Sequence, residues 1–189
     1  MKIRLLTYLL LLCPLILSGQ NTERLDQEHG FMDLKILADL DTIPDFISIF
    51  KDPDAYESKY EFAVIGSQYS YNGEKYKEYA GVKINKLLLA TTSVYITEIR
   101  VVFPHDSALY HYLEECYGPP TNNCIRVTDY ESKKAAWTLC IWQGKNARLT
   151  MASKKYYQKK DLEDSEVPDY MYLRFTSLEG ELLHKKIER

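Results

Sequence analysis

The stretch "HYLEEC", His111 to Cys116, sets a histidine, two carboxylates and a thiol within six residues, the side chains from which zinc and hydrolytic sites are built. His111, Glu114 and Glu115 come close to the zinc signature H-x-x-E-H but lack its second histidine. Spacings of three and four residues also describe an ordinary solvated helix face carrying ion pairs, and that reading accounts for the segment without a metal. The chain contains no H-E-x-x-H, no G-x-S-x-G, no glycine-rich phosphate loop and no C-x-x-C. No metal, cofactor or catalytic residue is therefore assigned, and an enzyme would have to draw on a constellation scattered along the chain. The acids Asp161, Glu163, Asp164 and Glu166 fall in "KKDLEDSEVPD", a charged loop. Glycosidase carboxylates need a cleft that pushes their pKa values apart, and a solvated charge run supplies none.

The cysteines offer different chemistry. Cys13 lies in the apolar leader, which leaves Cys116, Cys124 and Cys140. An oxidising compartment bridges a nearby pair and leaves the odd thiol buried or free. Three pairings can be drawn, and packing has to choose among them. Cys116 falls in the last turn of a helix, on its inward side, and Cys124 follows the loop "GPPTNN". A Cys116 to Cys124 bridge would pin that loop to the helix end and contribute roughly 2 to 3 kcal/mol on the loop-entropy model. Cys140 stands between two tryptophans in "AWTLCIW", with no basic neighbour to stabilise a thiolate, and reads as a small core residue.

Tyrosine is the third feature. The chain has 16, and Tyr69, Tyr71, Tyr76 and Tyr79 crowd the polar segment "SQYSYNGEKYKEY", which a hydrophobic core alone would not require. Tyrosines on a polar loop supply rigid amphipathic contact area, so these four form the candidate binding surface. Cross-strand pairing along the flank of a twisted sheet explains them as well and is the simpler reading. "YNG" reads as the turn of a tyrosine-flanked hairpin. Tyr156 and Tyr157 in "KKYYQKK" mix ring and cation, suiting an acidic partner, a polysaccharide or a solvated loop.

These residues need elements to hold them. "DSALYHYLEECYG" places Leu109, Tyr112, Leu113, Cys116 and Tyr117 on one face of an amphipathic helix, capped by Asp106 or Ser107 and ended by Gly118 and Pro119. "DTIPDFISIFKDP" has the same period in Ile43, Phe46, Ile47 and Phe50 and predicts an earlier short helix. Runs rich in β-branched and aromatic residues predict strands at Tyr60 to Gly66, Tyr79 to Thr92, Ser93 to Phe103, Ala135 to Trp142, Ala147 to Ser153 and Tyr170 to Thr176. "QGKN", Gln143 to Asn146, predicts the turn between the fourth and fifth of these. The result is an α+β plan: an antiparallel sheet of about six strands with two helices packed on one face.

The beginning of the chain bears on location. Lys2 and Arg4 precede an apolar run from Leu5 to Leu17, and "SGQ" then supplies small residues, the layout of a secretory signal peptide. The run is shorter than the roughly 20 apolar residues of a membrane-spanning helix. Residues 1–20 are accordingly expected to be a cleaved leader and 21–189 a single α+β domain, with no membrane span after cleavage. A lipoprotein signal would need cysteine where Gln20 stands. Without Lys2 and Arg4, 22 basic side chains face 27 acidic ones, a formal charge of −5. Nucleic acid and anionic membrane surfaces are poor partners for such a chain.

Several segments together, "GFMDLKI", "DTIPDFISIF", "AGVKI", "LEECYGPP" and "AAWTLCIW", resemble those of small signal-peptide-bearing α+β proteins of Gram-negative bacteria. These share an "L…YG.P" segment followed by a tryptophan-bearing strand. The likeness covers most of the mature chain and implies a periplasmic or secreted domain. It carries over no catalytic residue, and the Cys116 and Cys124 pair departs from its pattern. Two functions follow as expectations: a non-catalytic binding or interaction module for a protein or polysaccharide of the cell envelope, or a small envelope hydrolase.

Overall fold

The computed structural model describes residues 21–49, 67–128, 135–156 and 170–177. The leader, the Tyr60 to Gly66 strand, Tyr157 and the acids at 161–166 lie outside these residues. The chain enters through a short helix, α1 (Thr22–Glu28), whose start is capped by the Asn21 side chain accepting from Arg24 N–H and whose end turns through left-handed His29. A two-residue ladder follows, β1 (Gly30–Phe31) against β2 (Leu34–Lys35). A 3₁₀ turn, Leu40–Thr42, then leads to β3 (Phe46–Ser48).

That last step overturns the helix expected at "DTIPDFISIF". Ile43 precedes proline and is extended, at φ −115° and ψ 113°. The Pro44 ring disfavours the helical region for its predecessor, so the 3₁₀ turn cannot propagate. Asp45 is left-handed at φ 69°, and Phe46 pairs across the ladder with Tyr71. The apolar spacing that imitated a helix belongs to a turn and an edge strand.

Among the described residues eight strands form one antiparallel sheet, in the order β3, β4, β7, β8, β12, β11, β10, β9. Beyond β3 these are β4 (Ser67–Tyr71), β7 (Lys86–Thr92), β8 (Tyr95–Pro104), β9 (Ile125–Thr128), β10 (Ala135–Gln143), β11 (Ala147–Tyr156) and β12 (Tyr170–Ser177). The expectation of about six falls short because three short strands join the sheet. Strands β3, β4 and β9 are three to five residues long, too short to show a period in the sequence. The run from Tyr79 to Thr92 is split as well: Ala80 and Gly81 both turn through positive φ between β5 (Glu78–Tyr79) and β6 (Val82–Lys83), which form a separate two-stranded ladder, and only β7 joins the large sheet. "YNG" is no hairpin turn either: β4 pairs with β3 and β7, and Asn72 starts a longer loop.

The second helix, α2 (Ser107–Tyr117), forms as expected. Asp106 caps it by accepting from Ala108 N–H at 2.8 Å, and Gly118 ends it at φ 76°. Its Leu109, Leu113, Cys116 and Tyr117 enter one core cluster with Leu25 of α1, Ile99, Val101 and Phe103 of β8, and Leu173 and Phe175 of β12. Each fully buried leucine contributes roughly 1.5 to 3 kcal/mol. Strand β8 is buried at every position from Ile96 to Phe103. Period two puts Glu98, Arg100 and Val102 on the face opposite that core.

The disulfide joins Cys124 to Cys140, and Cys116 is a free, buried thiol. This corrects the predicted Cys116 to Cys124 staple. Cys116 does occupy the inward side of the last helical turn, but the following loop runs along β10 instead of folding back. Thr121 N–H donates to Ile141 O at 2.6 Å, Asn122 Nδ2 donates to Leu139 O at 2.9 Å, and Ile141 N–H donates to Asn122 Oδ1 at 2.8 Å. Those bonds bring Cys124 beside Cys140, with Cα atoms 4.1 Å apart.

Candidate functional site

The turn between β1 and β2, the entry to β3 and the loop after β4 meet around a cleft of about 250 Å³. Its lining includes Asp33, Thr42, Pro44, Asp45, Tyr71, Lys75 and Tyr76. Local structure explains each placement. Asp33 occupies a two-residue turn that exposes its carboxylate, and Asp45 occupies a left-handed position that short polar side chains tolerate. Tyr71 closes β4, and its ring lies 5.1 Å from that of its cross-strand partner Phe46. The loop is drawn onto the β3 entry by Asn72 N–H donating to Asp45 O at 2.9 Å.

Within the cleft Tyr76 Oη donates to Asp33 Oδ1 at 2.8 Å, and the Lys75 ammonium pairs with Asp33 Oδ2. Lys75 N–H donates to Tyr71 Oη at 3.0 Å. The Tyr71 and Tyr76 rings meet edge to face with centroids 4.8 Å apart, and Lys75 Nζ stands 5.2 Å from the Tyr76 ring centre. Gly73 is required here for space: a Cβ would collide with the Tyr71 hydroxyl and come within 2.6 Å of Asp45 Oδ2. Titration follows the same contacts. The hydrogen bond from Lys75 holds the Asp33 carboxyl below the usual range against the opposing effect of burial, with Tyr76 adding to the depression. Lys75 is raised by its bond to Asp33, and the Tyr76 phenol is raised by burial and then by Asp33.

The four predicted tyrosines therefore divide. Tyr71 and Tyr76 line the cleft, although Tyr76 is only 4% exposed and counts among the core residues. Tyr69 is half-buried on β4, opposite Ser48 and Leu89, and lies against the core. Tyr79 packs on Phe31, Tyr112 and Phe103, with centroids 4.8, 5.4 and 6.4 Å away. Burial pushes its phenol up strongly. Sequence reasoning missed Asp33, Asp45 and Lys75. The spacing that joins Asp33 to Lys75 is 42 residues, and the one local signal was asparagine and glycine beside paired tyrosines.

The other candidates form structural contacts. His111 is exposed, with Nδ1 3.8 Å from Glu114 Oε2, and Glu114 also accepts from Tyr110 Oη at 2.7 Å. Burial and that bond push the Tyr110 phenol up to about 12. Glu28 accepts from Arg24 Nε at 2.6 Å and from the Tyr117 hydroxyl, tying α1 to α2. Among the described residues no group of three or more potential ligands could hold a metal ion, and no helix is long and apolar enough to cross a membrane. Comparison with protein-family models, curated proteins and solved structures finds no match to this chain.

Proposed function

We propose that the chain is a secreted or periplasmic, non-catalytic binding module, with both helices over one face of its sheet and the cleft around Tyr71 and Tyr76 as its site for an envelope protein or polysaccharide. The observation that carries this reading is the charge state of the cleft. A general acid needs a carboxyl raised toward neutrality, and an amine nucleophile needs a lowered lysine. Asp33 and Lys75 shift the opposite ways, each fixing the other in its charged form. Charged and paired, these two groups hold the loop and the β1–β2 turn together and supply fixed charge at the cleft. Fixed aromatic edges and a tethered loop supply the preorganisation that a recognition site uses. The Cys124 to Cys140 bridge and the apolar leader support the compartment, as does the likeness to signal-peptide-bearing α+β proteins.

A small envelope hydrolase is the second reading, favoured by two carboxylates lining one cleft. It would need one of them raised, and Asp33 is not. The deciding experiment is a pull-down from envelope extract with the wild type, Lys75→Ala and Tyr71→Phe, alongside His111→Ala. The cleft variants should lose the partner while remaining folded, and His111→Ala should retain it. A hydrolytic activity that disappears in His111→Ala or Asp45→Asn, with partner recovery unchanged in the cleft variants, would replace this reading by the hydrolase.

A further inference from the structure

On the reading that the cleft is the binding site, we infer that its ligand is an uncharged sugar residue of an envelope glycan, held by the Asp45 carboxylate as hydroxyl acceptor and the Tyr71 hydroxyl as donor. Some polar groups of the cleft are already committed to one another. Asp33 is engaged by both Lys75 and Tyr76. Tyr71 Oη already accepts Lys75 N–H, which leaves its own O–H to donate. Asp45 is exposed, and among the described residues its carboxylate makes no ion pair. Gly73 lies against both groups, so the Tyr71 hydroxyl and Asp45 Oδ2 form an adjacent donor and acceptor over one short piece of backbone. Sugar hydroxyls donate and accept at neighbouring atoms, and this pair offers the complement.

Charge and shape narrow the class. Two carboxylates face one ammonium in the lining, so an anionic ligand meets net repulsion. Leu34, Ile43 and Pro44 give the cleft an apolar side against which the C–H face of a sugar ring can lie. The volume lies just below the roughly 300 to 1,000 Å³ of pockets for drug-sized ligands, which suits one ring or a single side chain. A peptide would have to supply its affinity from outside the cleft. An amine such as a lysine side chain is the competing occupant, because it too would seek Asp45.

The test is calorimetric titration of the mature chain with neutral oligosaccharides (cellohexaose, mannohexaose and chitohexaose), with oligogalacturonate and with lysine amide. At least one neutral oligosaccharide should saturate the protein, and oligogalacturonate should bind about tenfold more weakly or not at all. Asp45→Ala should lower the neutral affinity about tenfold, Asp45→Asn by less, and Tyr71→Phe severalfold, with each variant still folding cooperatively and saturation measured per folded molecule. Asp45→Asn should also narrow the gap between neutral and acidic oligosaccharides. Saturation by lysine amide alone, or equal affinity for the acidic oligomer, overturns the inference. So does the absence of any oligosaccharide binding. In that case, loss of the envelope partner in Lys75→Ala and Tyr71→Phe would show that the cleft still binds and only the ligand class was wrong. Unchanged partner recovery would remove the cleft reading itself.

Discussion

The carboxylate of Asp26 lies where a Cβ on Gly144 would stand, its Cγ 2.8 Å from that position. The missing side chain lets Asp26 accept three backbone N–H bonds at the turn between β10 and β11, from Lys145 at 2.7 Å, Asn146 at 2.7 Å and Ala147 at 2.9 Å. A short N-terminal helix is thereby fastened to a hairpin about 120 residues away. The glycine in "QGKN" thus serves an approach as well as a turn.

Gly144→Ala should therefore destabilise through Asp26 and not through its own backbone. Asp26→Ala should cost about 2 to 4 kcal/mol, the loss of hydrogen bonds to a charged acceptor. In an Asp26→Ala background most of the Gly144→Ala cost should vanish, because the atoms it meets are gone. Urea unfolding of the two single variants and the double variant gives the coupling. Additive effects would contradict this clamp.

The same carboxylate predicts a pH dependence. Burial pushes the Asp26 carboxyl up, but three N–H donors outweigh it and leave the folded-state value below the ordinary one. Its unfolded value is about 3.9. Folding is therefore strengthened by this group above about pH 4, and that contribution is lost as pH falls through the depressed folded value. Asp26→Asn should be less stable at neutral pH and lose less on acidification than the wild type, as read from melting temperatures between pH 2 and 7.

The disulfide gives a chemical prediction. Mass spectrometry of the unreduced protein should yield a peptide linking Cys124 to Cys140, with Cys116 alkylated only after denaturation. Cys124→Ser or Cys140→Ser should each lower stability by about 3 kcal/mol, from a bridge spanning 16 residues. Cys116→Ser should leave the bridge in place. A Cys116-containing linkage in the folded protein would contradict this pairing.

These cases show where sequence reasoning reached. α2 was legible because five residues of one face and both caps agreed locally, and β8, β10, β11 and β12 because long β-branched and aromatic runs lie between clear turns. α1 was not legible: Leu25 is its one buried residue, and it is held by Asp26 at the distant turn and by Asn21 N–H donating to Tyr117 O at 2.9 Å. The helix period at Ile43, Phe46 and Ile47 misled because the residue before Pro44 resists the helical region, a constraint visible in the sequence but outweighed by spacing. The cystine partner depended on Asn122 bonding along β10, which no spacing encodes. Of the four tyrosines in the polar segment, Tyr71 and Tyr76 line the cleft because the loop after β4 folds onto the β3 entry, whereas Tyr69 lies against the core and Tyr79 packs on Phe31, Tyr112 and Phe103.

Burial also dictates how the cleft is probed. Tyr76→Ala should cost about 3 to 5 kcal/mol because the ring is core, so alanine there reports folding before binding. Tyr76→Phe keeps the ring and removes only the bond to Asp33, at about 1 to 2 kcal/mol. Lys75→Ala acts on an exposed side chain and should change stability by less than about 1 kcal/mol. Thermal melts of the three variants check this ranking. If Tyr76→Phe proves as damaging as Tyr76→Ala, the Asp33 contact contributes more than the ring.

Glu98, Arg100 and Val102 lie on the face of β8 opposite Ile99, Val101 and Phe103. Arg100 on β8 and Arg174 on β12 are directly paired in register, and like charges so placed repel. Glu98 lies between them: its Oε1 pairs with Arg100 Nη2, and its Oε2 stands 2.7 Å from Arg174 Nε and Nη2. Glu98 and Arg100 are only 7% and 5% exposed, and burial lowers the Arg100 pKa despite the adjacent carboxylate. Removing Glu98 takes away the carboxylate that both guanidinium groups share, one of them shut away from water. Glu98→Ala should therefore cost about 3 to 5 kcal/mol, as for breaking one side of a buried ion pair. Arg174→Ala removes a side chain 44% exposed and should cost less than about 1 kcal/mol. In the Arg174→Ala background the Glu98→Ala penalty should shrink, since one of the two opposed charges is gone. Urea unfolding of the double-mutant cycle measures this, and equal costs for the two single variants would show that Glu98 does not mediate between the arginines.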